Sequence, residues 1–116
     1  MEQINKVELV GIVGSVNTQT LGGRRMTRLS VVTNRAYKDA MGEPKMEETW
    51  HNVQVWQGKG CPDPSVLQKG SRVHVFGRIR NVRVQNEGQP DRYYSDIQAR
   101  EVSLVESKDD LVPEMN

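Results

Sequence analysis

The stretch SRVHVFGRIRNVRV, residues 71–84, alternates almost without a break. Val73, Val75, Gly77 and Ile79 fall on one side, and Arg72, His74, Phe76, Arg78 and Arg80 on the other. That is the two-residue period of a β-strand with one buried face. Nothing else in the chain limits the fold as strongly, because the same period recurs elsewhere while a helical period barely does. NKVELVGIVGSV (5–16) is a strand interrupted by Gly11 and Gly14. Glycine within a strand marks a bulge or bend, which lets one long strand serve two sides of a barrel. RRMTRLSVVTN (24–34) sets Met26, Arg28, Ser30 and Val32 against Thr27, Leu29, Val31 and Thr33. ETWHNVQVWQ (48–57) sets Trp50, Asn52, Gln54 and Trp56 against Thr49, His51, Val53 and Val55. A fifth strand runs from about Arg92 to Val105.

The connections read as the polar loop NTQTLGG (17–23), the loop KDAMGEPKM (38–46) with its breaker residues, and the turn QNEGQPD (85–91). One short helix is predicted between the third and fourth strands: Pro64 starts it, Ser65 to Lys69 form it and Gly70 ends it. An all-β order of three strands, a short helix and two strands, with a bent first strand, favours the five-stranded oligonucleotide/oligosaccharide-binding barrel, the OB-fold. The pattern stops near Ser107, which predicts a domain over 1–105 and a short, acidic, flexible tail over 106–116.

The chain of 116 residues fits one domain. Its single cysteine, Cys61, excludes an intrachain disulfide and a multi-cysteine zinc site, and fits a reducing cytoplasm. No apolar run approaches the roughly 18 residues of a membrane span, and MEQINKVELV lacks the layout of a signal peptide. A soluble cytoplasmic protein is expected. The net charge of +1 hides an asymmetry: residues 1–105 hold 15 basic against 11 acidic side chains, while 106–116 hold one against four. A mildly basic body with an acidic tail is weak evidence by itself for a nucleic-acid partner. Catalytic motifs are missing: there is no HExxH, paired CxxC, GxSxG or phosphate loop, and the two histidines, His51 and His74, lie on different strands. No enzyme, metal or cofactor is expected.

The chain has six aromatic residues, and both tryptophans share one strand face with two amides. Three arrangements would account for this. A strand buried on both faces would make them core, although Asn52 and Gln54 would then need partners. A protein interface would use their area. A nucleobase platform would use their flat π-faces, worth roughly 1–3 kcal/mol per stacked base. Six residues of extended strand span about 20 Å at about 3.3 Å per residue, so the two rings would serve different nucleotides. Arg24, Arg25 and Arg28 flank the first loop, Arg35 and Lys38 follow the second strand, and Arg78, Arg80 and Arg83 cluster on the fourth. As a set they resemble an electrostatic groove.

Taken together, N-K-V-E-L-V-G-I-V-G (5–14), L-S-V-V-T-N-R-A-Y-K-D (29–39), G-E-P-K-M-E-E-T-W-H-N-V (42–53), L-Q-K-G-S-R-V-H-V-F-G-R-I-R (67–80) and Q-P-D-R-Y-Y (89–94) resemble the bacterial single-stranded DNA-binding protein family. T-W-H-N-V followed by K-G-S-x-V-x-V-x-G-x-I-R is the most specific part. The resemblance implies an OB-fold subunit, usually of a homotetramer, that coats single-stranded DNA without sequence preference in replication, recombination and repair. By position it implies base stacking by Trp50, Trp56 and Tyr37, with Tyr37 and Trp56 replacing the family's usual tryptophan and phenylalanine. It places His51 at the subunit interface. Arg24, Arg35, Arg80 and Arg83 are the expected phosphate contacts. Two departures stand out: Val84 occupies the place of a fourth stacking aromatic, and KDDLVPEMN lacks the aromatic end through which family members recruit partner proteins. Recruitment through the tail is therefore not expected. The alternatives are a dimeric accessory OB-fold such as primosomal replication protein N, and a protein-interaction module that ignores DNA.

Overall fold

The computed structural model describes residues 2–58, 60, 61 and 66–105. Five strands, β1 (Val7–Leu21), β2 (Arg24–Lys38), β3 (Pro44–Trp56), β4 (Arg72–Val84) and β5 (Arg92–Leu104), close into a barrel in the order β1-β2-β3-β5-β4. All neighbours are antiparallel except β3 and β5, which pair in parallel through Val53↔Ile97 and Gln54↔Gln98. This is the OB-fold expected from the element order.

The first strand serves both sides of the barrel. Val7 to Ile12 pairs with β4, and Ile12 to Leu21 pairs with β2. Between Val13 and Ser15 the register slips, leaving Gly14 as the extra residue of a bulge. The inward rows are apolar apart from one hydrogen-bonded threonine pair: Val16–Leu29–Val53 lies beside Thr18–Thr27–Val55, with Val13 and Val31 following. With Val73, Val75, Ile97, Val102 and Leu67 these side chains form one buried cluster. Hydrophobic burial of that cluster is what fixes the register, because a slip of one residue would turn every valine outward.

Two predicted loops are largely strand. Asn17 to Leu21 continues β1, and Gly22 and Gly23, with φ of 58° and 81°, close a two-residue hairpin into Arg24. Two successive positive φ values are the requirement of a type I′ turn, which Gly-Gly meets at little steric cost. Likewise β2 and β3 stay paired out to Lys38↔Pro44. Asp39 caps the intervening turn, accepting the Met41 and Glu43 backbone N–H groups at 2.9 Å each. These arms lie beyond the core, so they show no hydrophobic alternation and read as polar loops. Of the predicted short helix, Pro64 and Ser65 lie outside the described residues; Val66 has a 3-10 conformation, and Leu67 to Gly70 are irregular and turn. The acidic tail over 106–116 lies outside the described residues too.

Candidate nucleic-acid interface

The outward rows of the same three strands mix polar with apolar side chains. Reading across β1, β2 and β3, they are Ile12–Val32–Trp50, Ser15–Ser30–Asn52, Asn17–Arg28–Gln54 and Gln19–Met26–Trp56. The third row continues around the barrel through Gln98 and Arg78, whose guanidinium donates to Gln98 Oε1 at 2.7 Å. Asp96–Arg80 and Tyr94–Val82 extend this outer face along β5 and β4. A polar surface set with amides, arginines and two tryptophans therefore spans the sheet.

Trp50 is 55% exposed, which removes the core arrangement for that ring. The Cζ3–Cη2 edge of its indole lies against the Gly14 bulge, where a Cβ would collide with the ring. The sharp bend at Gly14 is thus also the seat of an aromatic. Trp56 is half-buried, pairs with the buried Met26, and carries the Arg24 guanidinium over its ring at 4.9 Å from the centroid. Beside Trp56 a recess of about 720 Å³ is lined by Lys6, Phe76, Arg78, Gln98 and Arg100. Its lip is the N-terminal segment, clamped to β4 because Asn5 Nδ2 donates to the Ile79 carbonyl (2.8 Å) and Asn5 Oδ1 accepts the Ile79 N–H (3.0 Å). Nearer Trp50 a smaller groove of about 240 Å³ runs between Asn52 and Gln54 on one side and Tyr94 and Asp96 on the other.

The residues expected to bind DNA divide by strand face. Trp50, Trp56, Arg24 and Arg80 lie on the outer face just described. Tyr37 and Arg35, stacked at 5.7 Å, lie at positions of the β2–β3 arm whose side chains alternate to the other face, and Arg35 also meets Glu47 at 3.6 Å. A two-stranded arm twists strongly, so its faces turn relative to the barrel. Arg80 donates to both carboxylate oxygens of Asp96, at 3.2 and 3.0 Å, and that bond raises its already high pKa. Arg83, on the opposite face of β4, donates twice to Asp91 Oδ2, at 2.9 and 2.6 Å. Three of the four arginines therefore already hold a carboxylate, which fixes their heads rather than leaving them to sweep the surface.

His51 points to the inner side at the end of the barrel, where its Nε2 and the Thr33 hydroxyl are hydrogen-bonded at 3.0 Å. Desolvation lowers its pKa from 6.5. The unfolded chain therefore takes up a proton at a pH where the folded chain is still neutral, so stability falls as pH drops from about 6.5 to the lowered folded value. The thermal midpoint of the wild type is expected to drop more between about pH 7 and pH 5.5 than that of His51→Asn. Equal drops would contradict this. Burial raises the pKa of the Cys61 thiol, the wrong direction for a nucleophile. Among the described residues no cluster of three or more His, Cys, Asp or Glu side chains could hold a metal ion, and no helix is long and apolar enough to cross a membrane.

Sequence patterns alone pass over Asn17, Arg100, Tyr94 and Asp96 as members of this surface. Alternation within a strand assigns faces, but it does not say which strands lie side by side. The resemblance focuses on Val84, yet Tyr94 stands on the same face one step along the neighbouring strand, since Val84 pairs with Arg92 and Val82 with Tyr94.

Comparison with known proteins identifies the family and the fold. Residues 4–105 match the profile of the single-strand binding protein family. A single-stranded DNA-binding protein of Xylella fastidiosa is 31% identical over 109 residues, covering 92% of this chain and 66% of that protein. One of Xanthomonas campestris is 33% identical over 104 residues, covering 88% and 60%. The chain thus spans about three fifths to two thirds of the length of these relatives. Among solved structures, the Plasmodium falciparum SSB in complex with ssDNA superposes with a TM-score of 0.73 at 24% identity, covering 90% of this chain and 96% of that one. The single-stranded DNA binding protein from Thermus aquaticus gives 0.75 at 19% identity, covering 91% and 52%. These likenesses carry the fold, and the profile match over nearly the whole described barrel carries the family: the chain belongs to the single-strand binding protein family.

Proposed function

We propose that this chain is a non-catalytic, single-stranded DNA-binding protein that coats exposed strands during replication, recombination and repair. The observation that carries the proposal is the outer face itself. Trp50 is exposed above a bulge that seats it, and Trp56 lies under Arg24 beside a cationic recess. One exposed and one half-buried indole, separated by amides, offer stacking to bases of any identity, and the arginines around them offer charge to the backbone. Residues 1–105 are the binding domain. Trp50 and Trp56 stack bases, Arg24 and Arg80 meet phosphates, and Tyr37 and Arg35 on the β2–β3 arm and Arg83 on the β4–β5 hairpin extend the path. His51 belongs to a subunit interface, for which the homotetramer of the family is the proposed assembly, in the cytoplasm.

Neutralising phosphates releases counterions, so affinity for a dT oligomer should fall linearly with salt on logarithmic axes, with a slope near −0.7 per phosphate contacted. Titrations at several salt concentrations check this. A flat dependence would remove the backbone contacts from the proposal.

A further inference from the structure

The smaller groove encloses an atom that has no partner. Gln54 is only 8% exposed, and its Oε1 is buried without a hydrogen-bond donor among the described residues. Native proteins rarely leave a buried carbonyl oxygen unsatisfied, because it gives up its water without compensation. Gln54 lines an open groove, so a small turn of its amide brings this buried acceptor to a donor that a ligand supplies.

The groove around it is graded in chemistry. The donor groups Arg28 and Asn52 are exposed at its mouth. Two acceptors lie deeper: Gln54 Oε1 and the carboxylate of Asp96, also 8% exposed and held in place by Arg80. Tyr94, 39% exposed, lines the groove with Asp96 and offers a flat face for stacking. Donors at the mouth suit the sugar-phosphate chain, and acceptors inside suit the edge of a base.

Resting on the single-stranded DNA reading above, we propose that this groove is a base-edge subsite that favours a base carrying an exocyclic amine, cytosine, adenine or guanine, over thymine, with Gln54 as the selecting residue. The amine of cytosine or adenine projects beyond the ring and carries two hydrogens, enough for two acceptors. The N–H of thymine is recessed between two carbonyl oxygens, which would meet the Asp96 carboxylate with like polarity. A protein that coats strands of any sequence would then carry one position per chain with a preference.

The test is competition between dC and dT oligomers of equal length, on the wild type and on Gln54→Leu. The ratio of dC to dT affinity is expected to be about three- to tenfold higher in the wild type, the worth of one hydrogen bond per site. The variant should melt no lower than the wild type, since it no longer buries an unpaired oxygen. Gln54→Met supports the same comparison if leucine packs badly. Equal ratios in wild type and variants would overturn the proposal. Loss of dT binding together with a lower thermal midpoint in both variants would also overturn it, making Gln54 a structural residue. Failure of the wild type to bind either oligomer is a separate outcome, which overturns the DNA-binding function and this subsite with it.

Discussion

Replacing Trp50 and Trp56 together by alanine lowers affinity for a dT oligomer by on the order of 10²- to 10³-fold, as expected from two stacked bases at roughly 1–3 kcal/mol each. The two rings differ in what else they do. Trp50 is more than half exposed and rests on a glycine, so its removal changes binding far more than stability. Trp56 covers Met26 and carries Arg24, so Trp56→Ala also loosens the β1–β2 arm and is best compared with Trp56→Leu. Because the double variant has no tryptophan left, binding is followed by the anisotropy of a labelled oligomer. Unchanged affinity would show that the indoles are not the platform, even if the protein binds DNA by other groups.

Gly14→Val is the second large effect. A side chain on Gly14 would collide with the Trp50 ring and crowd the Ser30 hydroxyl. One of the two must move. The bulge is part of the strand that closes the barrel, and Val13, beside it, is in the core, so the backbone has little room to give. Overpacking of this kind costs about 1–3 kcal/mol. The indole is the softer partner and should swing off the sheet, so the variant loses stability and Trp50 stacking together. The expected readouts are a lower thermal midpoint, a shifted tryptophan emission maximum, and dT affinity reduced towards that of Trp50→Ala. If emission and affinity stay at wild-type values while the midpoint falls, the ring does not depend on its glycine seat.

Much of the fold is legible in the chain because each barrel strand must separate a valine row from a polar row. Alternation places Val53 and Val55 inside and Trp50, Asn52 and Trp56 outside, and all five strands occur where the period predicts them. What alternation misses are features set by other strands. The two arms carry no core, so Asn17 to Leu21 and Pro44 to Glu47 show no hydrophobic period although they are strand. Gln54 is polar and on the outer face, yet it is buried where β5 joins β3 in parallel. Its burial comes from the barrel's closure, which a local pattern does not encode. The same holds for Tyr94 and Asp96, which belong to the surface only because β5 returns beside β3. Arg80 reads as a free cation, and only the Arg80↔Asp96 register reveals its partner.

The central claim is that the tryptophan face binds unpaired bases. The direct measurement is intrinsic tryptophan fluorescence during titration with a dT oligomer and, in parallel, with a duplex of equal length. Stacking on Trp50 and Trp56 predicts strong, saturable quenching by the single strand and far weaker binding to the duplex, whose bases are already stacked and paired. Absence of quenching by dT, or equal affinity for single strand and duplex, would contradict it.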